Sequence, residues 1–300
     1  MEYLNKVEAI ARMNELSASQ VPFIFVIDYD AQRSIVMPVS EVNPEECLFD
    51  FGSVSNAADA KTQNNEAVQW ECTFPSAEAY RRSFETVEKY LQSDAIQLIN
   101  LTCRVPIQTN LSLRDIYCRA EAKYKLWLKD TLVCFSPEIF VRIEGDEISS
   151  YPMKGTINAD QPQAEEIIMN DVKEAEEHQA VVKLISDDLS RVADKVWVER
   201  YRYTDLLHTN RGRIIQTSSE VRGKLAADWA AHVGDILFSQ LPAGSITGYP
   251  KAKTIDVIAE AEDYHRGFYT GVMGWCDGQR LDSSVLIRFI DPVSYTHLTL

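Results

Sequence analysis

Apolar residues along this chain recur with a period of about two where β-branched and aromatic residues cluster, and of about three to four where acidic residues intervene. Residues 23–28 (FIFVID) and 34–37, parted by a polar turn at 29–32, predict a β-hairpin. Residues 52–69 shift to Ser, Asn, Ala, Asp, Gln and Lys, which predicts a mobile loop and the main internal boundary. After Pro75, the spacing of Tyr80, Phe84, Val87, Tyr90 and Leu91 describes one face of a helix over 76–92, with Ser76 as its N-cap. Strands are predicted at 96–104, 132–135, 140–144 and 147–151, the last two joined through Gly145 and Asp146. From 163 to 189, apolar residues set among acidic ones predict one long helix or two in succession. Strands at 196–203 and 213–220, helices at 228–238 and 251–264, and strands near 269–275 and 285–290 complete the pattern. Strand pairs grouped by turns, with helices inserted irregularly, indicate a mixed α+β fold rather than alternating βαβ units.

Composition narrows the function. The 300 residues carry 45 acidic and 30 basic side chains, a formal charge of −15, which opposes a sequence-independent grip on nucleic acid or an anionic membrane. No apolar run approaches the roughly 18 to 20 residues that cross a bilayer, and the start MEYLNKVEAIARMNEL is polar and helix-like. A cytoplasmic protein is expected. The six cysteines are scattered without a Cys-x-x-Cys pair, so neither a zinc knuckle nor a disulfide framework is indicated.

Four segments could carry chemistry, each beside a plainer reading. Glu138 in SPEIF, between two expected strands, could be a partly buried general acid, although most carboxylates are simply solvated. Lys154 in YPMKGT, followed by Gly155 and Thr156, could be a desolvated nucleophile or an ordinary edge-strand lysine. The helix with Glu174, Glu176, Glu177, Asp187 and Asp188 offers oxygens that suit magnesium, or merely a hydrated face. In LPAGSITGYPKAKT (241–254), Gly244 and Gly248 lie too close together for a phosphate P-loop, so the helix start there suits a carboxylate better than a nucleotide. Arg266 and Arg288 could supply bidentate carboxylate contacts.

In this order, SPEIF, YPMKGT, the EEH helix, PAGSITGYPK, HRGFYTGVMG and LDSSVLIRF resemble the chorismate-utilising enzymes, over about residues 96–291. The resemblance is nearest to the component I enzymes of aminodeoxychorismate synthase, which carry Pro-Ile-Lys-Gly-Thr where this chain has Pro-Met-Lys-Gly-Thr. Anthranilate and isochorismate synthases generally place alanine at the position of Lys154. The fold this implies has two facing antiparallel β-sheets with helices packed outside. The domains expected are a short β-containing N-terminal region (1–75), a chorismate-binding catalytic domain (76–291) and a non-native tail (292–300).

The resemblance further implies an aminotransferase-class synthase for folate and 4-aminobenzoate precursors. Lys154 attacks C2 of chorismate as the 4-hydroxyl leaves, Glu138 protonates that hydroxyl, and ammonia resolves the intermediate at C4. By the same resemblance Glu177 binds Mg2+; Gly155, Thr156, Thr247 and Gly248 contact substrate; and Tyr269 and Arg288 hold the enolpyruvyl carboxylate. No Gly-x-Cys-x-Gly segment surrounds any cysteine, so ammonia is expected from a separate glutamine amidotransferase subunit. Leu98 stands where isochorismate synthases carry a water-activating lysine, which disfavours hydrolytic chemistry.

The chain also departs from the family pattern. Lys183, Ser186 and Asp187 replace Asp, Arg and Asn in the acidic helix, and Gln216 replaces a histidine. The family's C-terminal glutamates and carboxylate-binding lysine are missing after Asp291, which predicts impaired metal binding and catalysis. The alternatives are an anthranilate synthase component I, or a catalytically impaired fragment that only binds its partner subunit.

Overall fold

The computed structural model describes residues 1–62, 66–209, 212–292 and 295–299, the last group by backbone alone. Two antiparallel sheets carry the fold. The nine-stranded sheet runs Met153–Asn158, Gly212–Lys224, Glu147–Ser150, Ile139–Glu144, Arg280–Val285, Val272–Cys276, Phe23–Ile27 and Ser34–Pro38, with Lys195–Thr209 also paired to Gly212–Lys224. The seven-stranded sheet runs Cys47–Asp50, Tyr124–Leu128, Leu132–Ser136, Phe289–Asp291, Tyr295–Thr299, Thr102–Thr109 and Trp70–Cys72.

Inner faces of both sheets meet in one core that includes Phe25, Leu126, Val141, Ile143 and Met273. All five residues of Phe23–Ile27 are buried. Such a strand is apolar throughout, instead of alternating, because both of its faces are covered. The helix Lys6–Ala18 supplies part of that cover, burying Ala9, Met13 and Leu16 beneath a capping box of Asn5 and Glu8. Val172–Leu189 buries Val181, Val182 and Ile185 in the same core. Ala77–Gln92 and Lys251–Ala261 pack on each other outside the sheets, through Val87 and Val257.

The α+β class with two facing sheets is as expected, and so are the first hairpin and the Ser76 cap, whose hydroxyl accepts from Ala79 N at 3.1 Å. The helical stretch from 163 divides into Ala164–Asn170 and Val172–Leu189. Residues 1–75 contribute strands to both sheets, so the N-terminal region shares the core of the rest. The expected loop at 52–69 holds no helix or strand among its described residues, and residues 63–65 of it lie outside them. Residues 293–294 and 300 of the expected tail also lie outside them.

Other boundaries moved for physical reasons. The strand expected at 285–290 is two pieces, because Arg288 adopts φ +56° and the chain passes there from one sheet to the other. The apolar residues on either side of Arg288 are buried, while Arg288 itself is exposed at the crossing. The expected strand at 96–104 is likewise Leu98–Ile99 and Thr102–Thr109. The hairpin of Lys195–Thr209 and Gly212–Lys224 is much longer than expected, since its outer strand is largely solvent-facing and carries little apolar signal.

Candidate active site

Two crossings between the sheets build one wall of the site. Glu138 lies in the short link from Leu132–Ser136 to Ile139–Glu144, and Arg288 lies in the link from Arg280–Val285 to Phe289–Asp291. The links are tied backbone to backbone, Phe135 N to Arg288 O at 3.1 Å and Val285 N to Glu138 O at 3.2 Å. Residues 150 apart are thus held side by side. The half-buried Glu138 takes a hydrogen bond from Ser245 Oγ to Oε1 at 2.6 Å, while its backbone N–H is held by Ser136 Oγ at 3.2 Å. Burial pushes the Glu138 carboxyl above the usual carboxylate range, against the Ser245 hydrogen bond and the nearby charges of Lys154 and Arg288. A carboxyl raised in this way keeps its proton to higher pH than an exposed one and can release it to a leaving group.

Lys154 belongs to Met153–Asn158, at a register irregularity between Lys154 and Thr156. Gly155 takes φ +73° there, and a Cβ on it would stand 3.0 Å from Glu174 Oε2. The glycine therefore serves both the left-handed backbone and the close approach of a carboxylate. Thr217 donates its hydroxyl to the Lys154 carbonyl, and Thr156 lies opposite Gln216 in the pairing.

Glu174 and Glu177 stand one turn apart on Val172–Leu189. Glu177 is 3.5 Å from Lys173 Nζ, a solvent-exposed pair. Among the described residues no cluster of three or more His, Cys, Asp or Glu side chains forms a closed metal cage. Magnesium does not require one, since it commonly binds one or two carboxylates and completes its shell with water and ligand oxygens. Glu174 and Glu177 fit that donor set. His178, fully buried beside them, has Nε2 2.6 Å from Ser219 Oγ. Burial, with the charges of Arg202 and Lys154, pushes its pKa down to about 4, so the ring is neutral near pH 7.

The glycine-bearing loop lies over this region and is pinned from below. Lys251 Nζ donates to Asp188 Oδ2 at 2.7 Å and to Gln240 O at 2.9 Å, both side chains of the ion pair being nearly inaccessible. The anionic helix therefore has a partner in the lysine that follows the loop. Gly248 pairs with Ile99 at φ +132°, where a Cβ would stand 2.1 Å from Leu98 O. Thr247 is fully buried, its hydroxyl donating to Ala243 O at 2.8 Å and its carbonyl accepting from Asn100 N at 3.0 Å. A recess lined by Glu138, Tyr151, Asp188, Gln240, Gly244 and Ser245 opens beneath. A roomier cleft of about 330 Å³, lined by Tyr80, Arg104 and Tyr264, contains none of the expected catalytic residues, so chemistry rather than volume picks the site.

Tyr269 is fully buried with its ring 5.9 Å from Phe289, whereas the Arg288 side chain is exposed on the crossing. Arg266 corrects an expectation. It does make a bidentate carboxylate contact, but to Glu262 of its own chain, with Nε and Nη2 at 2.9 and 2.6 Å and both side chains 1% exposed. It also donates to Asn100 O and Ile246 O, so it braces the loop at a different point from Lys251. Sequence reasoning passed over Ser245 as a partner of Glu138, and the Asp188–Lys251 pair. Only the hydroxyl inside SITG signalled the first, and nothing linear joined the second.

The profile of the chorismate binding enzyme family matches residues 25–291. The chain belongs to that family. Its sequence is 41% identical over 295 residues to an uncharacterized PabA-like protein of Pasteurella multocida, covering 95% of this chain and 88% of that protein. It is 26% identical to aminodeoxychorismate synthase component 1 of Bacillus subtilis, over 93% of this chain and 64% of that one. The menaquinone-specific isochorismate synthase MenF of Escherichia coli superposes with a TM-score of 0.69 at 16% identity, over 99% of this chain and 77% of that one. At such low identity the superposition shows the chorismate-utilising fold alone. The family match extends upstream of residue 96, where the sequence motifs begin, to the first sheet strand.

Proposed function

We propose that this chain is an aminodeoxychorismate synthase component I, aminating chorismate at C4 with ammonia to give 4-amino-4-deoxychorismate and water. Lys154 attacks C2; the ring double bonds shift and the C4–O bond breaks. Glu138 gives its proton to the departing oxygen. Ammonia then attacks C4 and expels the Lys154 amine from C2, and the ammonium formed at C4 returns a proton to Glu138, regenerating both residues. Glu174 and Glu177 would hold Mg2+, which neutralises the ring carboxylate and fixes its orientation when bound. Gly155, Thr156, Thr247 and Gly248 line the substrate path in this reading, and Tyr269 and Arg288 hold the enolpyruvyl carboxylate. Ammonia comes from a separate glutamine amidotransferase subunit.

The observation that carries the reading is the placement of Lys154 at a sheet irregularity, beside the glycine that Glu174 approaches, where its charge also acts on the buried Glu138. The departures at Lys183, Ser186, Asp187 and Gln216 favour a weaker enzyme, or a chain that only binds its partner, as the competing reading. Incubating the purified chain with chorismate, Mg2+ and ammonium, and resolving products by mass, tests all of this. Aminodeoxychorismate supports the proposal, whereas anthranilate or unchanged chorismate refutes it. Lys154→Ala is expected to abolish the product, and full retention of it would exclude the covalent route. Among the described residues no helix is long and apolar enough to cross a membrane, and the proposed setting is the cytoplasm.

A further inference from the structure

Glu138 has two carboxyl oxygens, and the fold treats them differently. Oε1 receives the Ser245 hydroxyl at 2.6 Å. Ser245 is the middle residue of the short 3-10 turn Gly244–Ile246, which lies against Val172–Leu189 so tightly that a Cβ on Gly244 would stand 2.8 Å from Asp188 Oδ2 and 3.0 Å from Leu184. The turn cannot drift. Asp188 is held by Lys251, which also donates to the Gln240 carbonyl ahead of the turn, and Arg266 donates to the Ile246 carbonyl, at the end of the turn, at 3.1 Å. The hydroxyl is therefore carried on a segment clamped at both ends by buried charged groups.

We propose that Ser245 is the positioning residue for Glu138: its hydroxyl occupies Oε1, so that the transferable proton resides on Oε2, in one orientation. A carboxylic acid whose two oxygens are equivalent presents its proton in either of two directions. A donor fixed to one oxygen removes that freedom before substrate arrives, the kind of preorganisation from which proton transfer gains. The same hydrogen bond stabilises the charged carboxylate left after the proton is given up. The other charged groups facing Glu138 are Lys154 from Met153–Asn158 and Arg288 from the crossing at 286–288, with Asp188 lining the shared recess. None of these donates to Oε1 among the described residues. The inference rests on the reading of Glu138 as the acid of chorismate amination.

The test uses the full chain with 13C-carboxyl-labelled glutamate, the Glu138 resonance being identified by its absence in Glu138→Gln. Removing a donor to the charged form raises a carboxyl pKa, so Ser245→Ala moves the Glu138 titration midpoint up by about one pH unit. Chorismate amination by Ser245→Ala loses roughly 10-fold in kcat, with KM within about 2-fold. Ser245→Thr, which keeps the hydroxyl, restores both. An unchanged midpoint in Ser245→Ala overturns the proposal, and so does a folded Ser245→Thr that behaves like alanine. Should Ser245→Ala fail to fold, Ser245→Gly takes its place with the same expected midpoint. The titration needs no substrate, so a wild-type chain that yields no aminated product refutes the functional reading while the midpoint still decides the contact.

Discussion

Replacing Lys251 with methionine isolates one consequence of the clamp. The pair it breaks is enclosed, with side-chain exposures of 9% for Lys251 and 6% for Asp188. Burial pushes the Asp188 carboxyl up, and the lysine beside it opposes that shift. In Lys251→Met the carboxyl keeps its burial and loses its main partner; Arg191 stands 3.6 Å from the other oxygen but is half exposed and contributes less than about 1 kcal/mol. Asp188 escapes by taking up a proton. Doing so at pH 7, from an ordinary carboxyl pKa of about 3.9, costs about 4 kcal/mol, which caps the loss and agrees with the 3–5 kcal/mol typical of broken buried pairs.

The sign with pH follows. A carboxyl whose folded pKa is raised binds protons more tightly in the native state, so the mutant's deficit is present above the unfolded pKa and shrinks as pH falls toward it. At pH 5 the cap is about 1.5 kcal/mol. With an unfolding entropy of about 2.1 cal/mol/K per residue over 300 residues, each kcal/mol shifts Tm by about 1.6 °C. Differential scanning calorimetry should therefore find Lys251→Met melting about 7 °C below wild type at pH 7 and about 2 °C below it at pH 5. A drop of equal size at both pH values, or one under about 1 °C at pH 7, refutes the assignment of the cost to an unpaired Asp188. The double variant Lys251→Met with Asp188→Leu should recover most of the loss.

Other consequences can be checked separately. Gly248→Ala meets both a positive φ and the Leu98 carbonyl, so it should destabilise by roughly 2–4 kcal/mol, and a melting point like wild type would count against the described backbone. Arg266→Met leaves Glu262 buried without its guanidinium, while Thr102 still donates to Oε1 at 2.9 and 2.8 Å; a loss of about 3 kcal/mol is expected by urea unfolding, and Arg266→Lys should restore only part of it, having no fork. Glu174→Gln and Glu177→Gln should each raise the magnesium concentration that gives half-maximal product, by roughly 10-fold, with the melting point unchanged. A magnesium response identical to wild type in both variants would remove those residues from the metal reading.

The sequence alone carried the secondary structure wherever spacing and turn residues mark an element locally. The apolar spacing of Ala77–Gln92 and the turn-bounded hairpin at 23–38 are local patterns, although packing buries only Val87 of that helical face and leaves Tyr80, Phe84 and Leu91 exposed. Motif order carried the family and marked Lys154, Glu138 and Glu177 as the candidates for the site. Tertiary structure decided which neighbours those residues have. The run VLIRFI reads as one strand because both halves are buried, and only the pairing of the two sheets shows that it crosses between them at Arg288 and sets Glu138 alongside. Arginine chemistry announced a carboxylate partner for Arg266, yet nothing in the sequence distinguished a substrate from Glu262, since both satisfy the same fork. The Asp188–Lys251 pair joins residues 63 apart, and the Ser245–Glu138 hydrogen bond joins residues 107 apart. Such contacts have no period and no motif, because they depend on chain closure over distances at which local propensity carries no information. The sequence supplied this protein with its reactive groups; the three-dimensional fold determined which of them are shielded, paired and aimed at one another.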